Sequence, residues 1–163
     1  MGIEERLQRL EDIEAINQLI ARYAKAVDHN GDPALVEPLF TEDAVWHCEG
    51  IGHWETREGI IRDIRPNCTT FMPWAMHYMT QPTVEVAADG LSATSNHYLW
   101  ELGKVTPEGG GPTRDTWIGG WYDSQLRKED GAWKFARIDL TLKLFSPADS
   151  PSWQTRIAPW SPG

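Results

Sequence analysis

Between Ile3 and Val27, apolar residues return every three or four positions: Ile3, Leu7, Leu10, Ile13, Ile16, Leu19, Ile20, Tyr23, Ala24 and Val27. That period belongs to a helix with one apolar stripe, and Glu4, Arg9, Glu11 and Glu14 fill the other side. The spacing predicts a helix over residues 3–29, stopped by Asn30-Gly31, where glycine accepts a left-handed turn. A stripe of that length needs a broad apolar surface to lie against, and the rest of the chain must supply it.

Asp32-Pro33 opens a short second helix that ends near Leu39-Phe40, since Asp caps and Pro suits a first turn. Residues 45–49 read as a short strand and Gly50-Ile51-Gly52 as a turn. Thr56 caps a third helix over residues 57–65, ended by Pro66. Strands then follow at 75–86, 91–105, 116–126 and 132–145. Pro82 marks a bulge or an edge in the first of these. Asp89-Gly90 and Lys128-Glu129-Asp130-Gly131 are turns, and 107–112, with three consecutive glycines, is an exposed loop. Residues 146–163 form a proline-rich C-terminal extension of one domain spanning 1–163. Helices first and antiparallel strands after argue for an α+β fold, a cone of N-terminal helices on a strongly curved, mainly antiparallel sheet. The hollow of such a cone suits a small molecule.

Charge excludes some partners. Fifteen basic against 24 acidic residues leave a formal charge of −9, which repels phosphate backbones, so no nucleic-acid role is expected. No apolar run approaches the ~18 residues of a membrane span, so no membrane role is expected either. The N-terminal residues lack the basic head and apolar run of an export signal, which points to a cytoplasmic protein. Cys48 and Cys68 fit no metal spacing and define no disulfide framework. Nine tryptophans suggest either an interior lined with flat rings or a large subunit contact.

Few polar residues fall where a core is expected. Tyr23 lies on the apolar side of the first helix and Asp28 at its end. A core tyrosine and a solvated helix end would explain both; so would two groups converging at a pocket rim. His77, within Ala75-Met76-His77-Tyr78, and His97, within Asn96-His97-Tyr98, sit midway along neighbouring strands and are placed to point into one hollow. Histidine titrates near neutrality and suits proton transfer. His47, Glu49 and His53 read as a polar rim, without the dense spacing of a metal site. There is no nucleophile elbow and no phosphate loop; Gly109-Gly110-Gly111 precedes no helix. Trp117, Trp121 and Trp133 read as core or interface residues.

The order of these features resembles the SnoaL-like family of the NTF2-like superfamily. The resemblance rests on Ala21-Arg22-Tyr23-Ala24-Lys25-Ala26-Val27-Asp28, Asp32 and Leu39-Phe40-Thr41-Glu42-Asp43-Ala44-Val45-Trp46. It continues through Glu49-Gly50-Ile51-Gly52, His77-Tyr78-Met79-Thr80, Ile118-Gly119-Gly120-Trp121-Tyr122-Asp123 and Asp130-Gly131-Ala132-Trp133-Lys134-Phe135. Members it is similar to are dehydrochlorinases and dehydratases that eliminate HX or water from a ring with no metal and no organic cofactor. The resemblance places their Asp–His dyad on Asp28 and His77, and a polarising hydroxyl on Tyr23. It places substrate contacts on Trp46, His97, Ile118, Tyr122 and Ile138. The chloride-eliminating members carry a cavity-facing arginine where this chain has Ile138; Arg137 stands one place earlier, which in an unbulged strand is the opposite face.

The implied activity is a cofactor-independent lyase, of the dehydratase type, acting on a hydrophobic ring-bearing small molecule. An isomerase or cyclase of the steroid or polyketide type would use the same pocket, and some domains of this superfamily only bind or assemble. Similar members form trimers, so a homotrimer is expected ahead of a dimer.

Overall fold

The computed structural model describes residues 2–149. Helix α1 (Ile3–Asp28) carries the predicted stripe, but only from its third turn onward does that stripe meet the sheet. Ile16, Leu19, Ile20 and Tyr23 are buried, whereas Ile3, Leu7 and Leu10 remain exposed on an overhanging N-terminal end. Asp32 caps α2 (Pro33–Val36) by accepting from the Ala34 amide at 2.9 Å. A single 3-10 turn, Glu37–Leu39, leads into the sheet.

Six strands form one sheet: β1 (Phe40–Cys48), β2 (Gly52–Glu55), β3 (Trp74–Val86), β4 (Ser92–Val105), β5 (Arg114–Glu129) and β6 (Ala132–Pro147). Their order is β2-β1-β6-β5-β4-β3, and every neighbouring pair is antiparallel except β1 and β6. The helices pack on the curved sheet's inner face, the expected α+β cone. No helix among the described residues is long and apolar enough to cross a membrane.

Several local expectations shift. β1 starts at Phe40, ahead of residue 45, and β2 was too short to give a period of its own. Pro66 does not end helix α3 (Arg57–Pro66): the chain continues through a wide turn, Asn67–Phe71, closed by the Met72 amide donating to the Asn67 carbonyl at 2.9 Å. That turn brings Cys68, Phe71 and Met72 under the mouth of the cone. Residues 146 and 147 belong to β6; the remainder of the expected extension, from residue 150, lies outside the described residues.

Pro82 marks both a bulge and an edge. β3 is the last strand of the sheet, and its pairing with β4 slips between Thr80 and Thr83, with Gln81 at φ 53°. The slip reverses which residues face inward. Val84 and Val86 face the core on one side of it; Ala75, His77 and Met79 do so on the other. The bulge therefore turns His77 into the cone.

A buried carboxylate fastens α1 to the far hairpin. Asp12, 4% exposed, accepts from Lys128 Nζ at 2.6 Å and from Trp133 Nε1 at 2.9 Å. At the other end of the sheet, Gly120 sits at a second irregularity, where a Cβ would strike the Thr141 carbonyl.

Candidate active site

Asp28 is the last residue of α1, and it reaches the edge strand β3. Its Oδ1 lies 2.7 Å from His77 Nδ1 and also accepts the His77 backbone amide at 3.1 Å. One carboxylate thus grips both the ring and the main chain of His77. A carboxylate oxygen accepts, so Nδ1 carries the proton and Nε2 is left with its lone pair in the neutral ring. Nε2 faces the cavity, 3.4 Å from Glu101 Oε1.

Glu101 on β4 is Cα partner to His77 and its side chain is 4% exposed. Burial raises its carboxyl above the usual range, opposed by the neighbouring His77. Burial alone would depress His77, yet the charge of Glu101 and the hydrogen bond His77 donates to Asp28 outweigh it and raise the ring above 6.5. The two groups therefore favour holding one proton between them.

Tyr23 faces this pair from α1. Its oxygen accepts from Trp46 Nε1 at 2.9 Å, which leaves the phenol's own proton free to donate. Burial raises the Tyr23 and Tyr122 phenols well above their ordinary value, so both stay neutral donors. Burial likewise pushes the Cys68 thiol up to about 12, which removes it as a nucleophile.

These groups enclose an inner cavity of about 50 Å³, lined among others by Tyr23, Asp28, Trp46, His77, Glu101, Ile118 and Tyr122. Six of the eight residues expected at the site are on its wall. His97 and Ile138 are not. His97 stacks on Tyr122 at 5.1 Å, deeper in the cone, with neither ring nitrogen bonded to another described group. Burial depresses it to about 4, so it is a neutral core residue. It lies two alternations along β4 from Glu101, and Glu101 takes the place opposite His77. Ile138 faces inward, 1% exposed, but in the packed core; Leu140 and Leu142 reach the cavity instead. Arg137 points outward, Nε 2.6 Å from Asp139, despite an irregularity beside it at the Gln125–Leu126 step of β5. His47 also faces away from the cavity, against His53 at 5.4 Å between ring centres.

The inner cavity opens into an outer chamber of about 980 Å³ at the wide end of the cone. Ile51, Trp54, Asn67, Phe71 and Phe145 line both spaces and form the neck between them. Trp54 stacks flat on Trp46 at 4.3 Å. Gly52 permits this, since a Cβ there would sit 2.5 Å from Trp54 Nε1.

A curved sheet closed by α1, with a polar cluster at the helix's end, defines a class of small-domain proteins, and sequence comparison names it. Residues 8–139 match the SnoaL-like domain, and the chain belongs to that family. It is 29% identical over 147 residues to the γ-hexachlorocyclohexane dehydrochlorinase of Sphingobium indicum, covering 86% of each protein. Among solved structures, a type 2 hexachlorocyclohexane dehydrochlorinase (LinA) superposes with a TM-score of 0.75 at 24% identity, covering 94% of this chain and 97% of that one. A Novosphingobium aromaticivorans structure provisionally described as a scytalone dehydratase gives 0.73 at 20% identity, covering 94% and 98%.

Proposed function

We propose that this protein is a cofactor-independent lyase that removes water from a hydrophobic, ring-bearing β-hydroxy carbonyl compound. The observation that carries the reading is His77, held by Asp28 through Nδ1 at 2.7 Å with Nε2 turned to the cavity. His77 Nε2 takes the carbon-bound proton beside the carbonyl. Asp28 fixes the tautomer and favours the imidazolium that forms. Tyr23 donates to the carbonyl oxygen as it gains enolate charge, with Trp46 holding the phenol in place. Glu101, raised by burial, gives its proton to the departing hydroxyl, which leaves as water. The proton on His77 then returns to Glu101, and both groups are reset.

Dehydration is favoured over chloride elimination by the lining. Neither lysine nor arginine appears among the described residues around the inner cavity, so a departing anion would find no permanent cation there. Loss of a neutral water needs none. The relationship to the Sphingobium indicum dehydrochlorinase supports elimination as the reaction type. An isomerase would return the proton to carbon; Glu101 beside the base favours the elimination reading, because it supplies the leaving group's proton. The test is turnover of fused-ring β-hydroxy ketones, followed by appearance of the conjugated enone. Enone formation by the wild type and its loss in His77→Ala is expected. Isomerised product with no loss of water would replace this reading with the isomerase one.

We further propose that copies of the chain associate, as a trimer, through the outer sheet face, where Trp74, Met76, Tyr78, Tyr98 and Trp100 are exposed together.

A further inference from the structure

The inner cavity cannot hold a ring-bearing molecule whole. About 50 Å³ is room for a few atoms beside His77, whereas pockets that enclose drug-sized ligands run to several hundred Å³. The outer chamber, about 980 Å³, lies at that upper range, and the inner cavity is reached from it past the neck of Trp54, Phe71 and Phe145. Beyond the neck its wall mixes apolar Pro66, Val105, Pro107 and Pro147 with the hydroxyls of Thr70, Thr106 and Thr116.

Among the described residues its ionised groups offer no spare cation. Asp63 is paired with Arg62 at 2.6 Å, Arg114 lies 3.8 Å from Asp149, and Glu108 adds a negative charge.

From this we infer that the substrate is an elongated, uncharged, multi-ring molecule that passes only its reacting end through the neck and keeps its ring body in the outer chamber. Resting on the dehydratase reading for the chemistry at the inner end, the inference adds the size, shape and charge of what is bound. Trp54, laid flat across Gly52 onto Trp46, sets how much of the molecule passes.

The test is a binding series by calorimetry on the full chain, using alcohols that share one reacting end and differ in ring number: cyclohexanol, 2-decalol and 5α-androstan-3-ol. Burial of apolar surface predicts roughly tenfold tighter binding for each added ring. A carboxylate at the far end of the four-ring alcohol should weaken it roughly tenfold, through the acidic rim. Thr116→Phe fills the outer chamber, and Val105→Phe does so from the neighbouring strand should the first not fold by circular dichroism. Either should erase the advantage of extra rings while leaving cyclohexanol unchanged. Trp54→Ala, which opens the neck, should tighten cyclohexanol. Affinities equal within about threefold across the series in the wild type would overturn the inference. So would ring dependence that arises only after residues 150–163 are removed, because the chamber would then serve that segment. Binding is read without turnover, so an inactive protein with full ring dependence would reject the dehydratase chemistry alone.

Discussion

At the scale of single residues the proposed site is a relay of three groups, Asp28, His77 and Glu101, with Tyr23 opposite. In the proposed mechanism the active form is neutral His77 beside protonated Glu101, and their one shared proton is lost as pH rises through the raised value, which places an alkaline limb of kcat/KM above pH 6.5. In Glu101→Gln no proton is shared, so that limb should disappear. The same variant should lose roughly 10²-fold in kcat, as the acid for the leaving hydroxyl is gone. A pH profile of the two proteins checks both; an unmoved limb would show that Glu101 does not act on His77. Asp28→Asn should cost ~10²–10⁴ in kcat, since an amide also stabilises the wrong tautomer. Tyr23→Phe should cost ~10²–10³, chiefly in kcat rather than KM. Tyr23, Asp28 and His77 were legible in the sequence as polar groups out of place, and the family resemblance joined them. Glu101 was not. An acidic residue in a long strand reads as solvent-facing unless the pairing register is known, and the clue available was its alternation in phase with His97.

Elements decide that register. Continuing the β3–β4 hairpin from Val86 and Ala93 without a slip would set Leu102 opposite His77 and turn the histidine outward. Pro82 announced an irregularity; which way it shifted the strand depended on the extra residue at Gln81, which proline composition does not reveal. Deleting Gln81 should therefore abolish activity while β4, β5 and β6 stay paired, a result that circular dichroism and an activity assay read together. The α1 anchor is equally local. Asp12 is held below its ordinary 3.8: burial works against this, and the Lys128 and Trp133 hydrogen bonds outweigh it. Its contribution is thus full above the unfolded value and is lost as pH falls through the depressed folded one. Asp12→Ala should destabilise the fold by about 2 kcal/mol at neutral pH, leaving the buried Trp133 N–H and the half-buried Lys128 without their acceptor. Urea unfolding at pH 7 and pH 3 should show the difference between variant and wild type shrinking at the lower pH.

For the whole molecule, the long helix and the succession of strands were enough to give the cone. The overhang of α1 was not foreseeable: an apolar stripe is silent about how far the opposing sheet extends. Ile3, Leu7 and Leu10 continue the stripe beyond it. Four of the tryptophans divide between two uses. Trp46 and Trp54 line the cavity, while Trp74 and Trp100 lie on the outer face with Tyr78 and Tyr98. Light scattering at micromolar concentration should give the mass of a trimer, and Trp100→Lys on that face should lower it; a monomeric wild type would refute the association.

The central claim is that His77, held by Asp28, removes a proton from carbon. Proton NMR in deuterium oxide measures this before any leaving group departs, as exchange of the hydrogens beside the carbonyl of a fused-ring ketone that lacks the β-hydroxyl. The account predicts exchange catalysed by the wild type and reduced at least ~10²-fold in His77→Ala. Equal exchange in the two proteins, with the ketone bound to both, would contradict it.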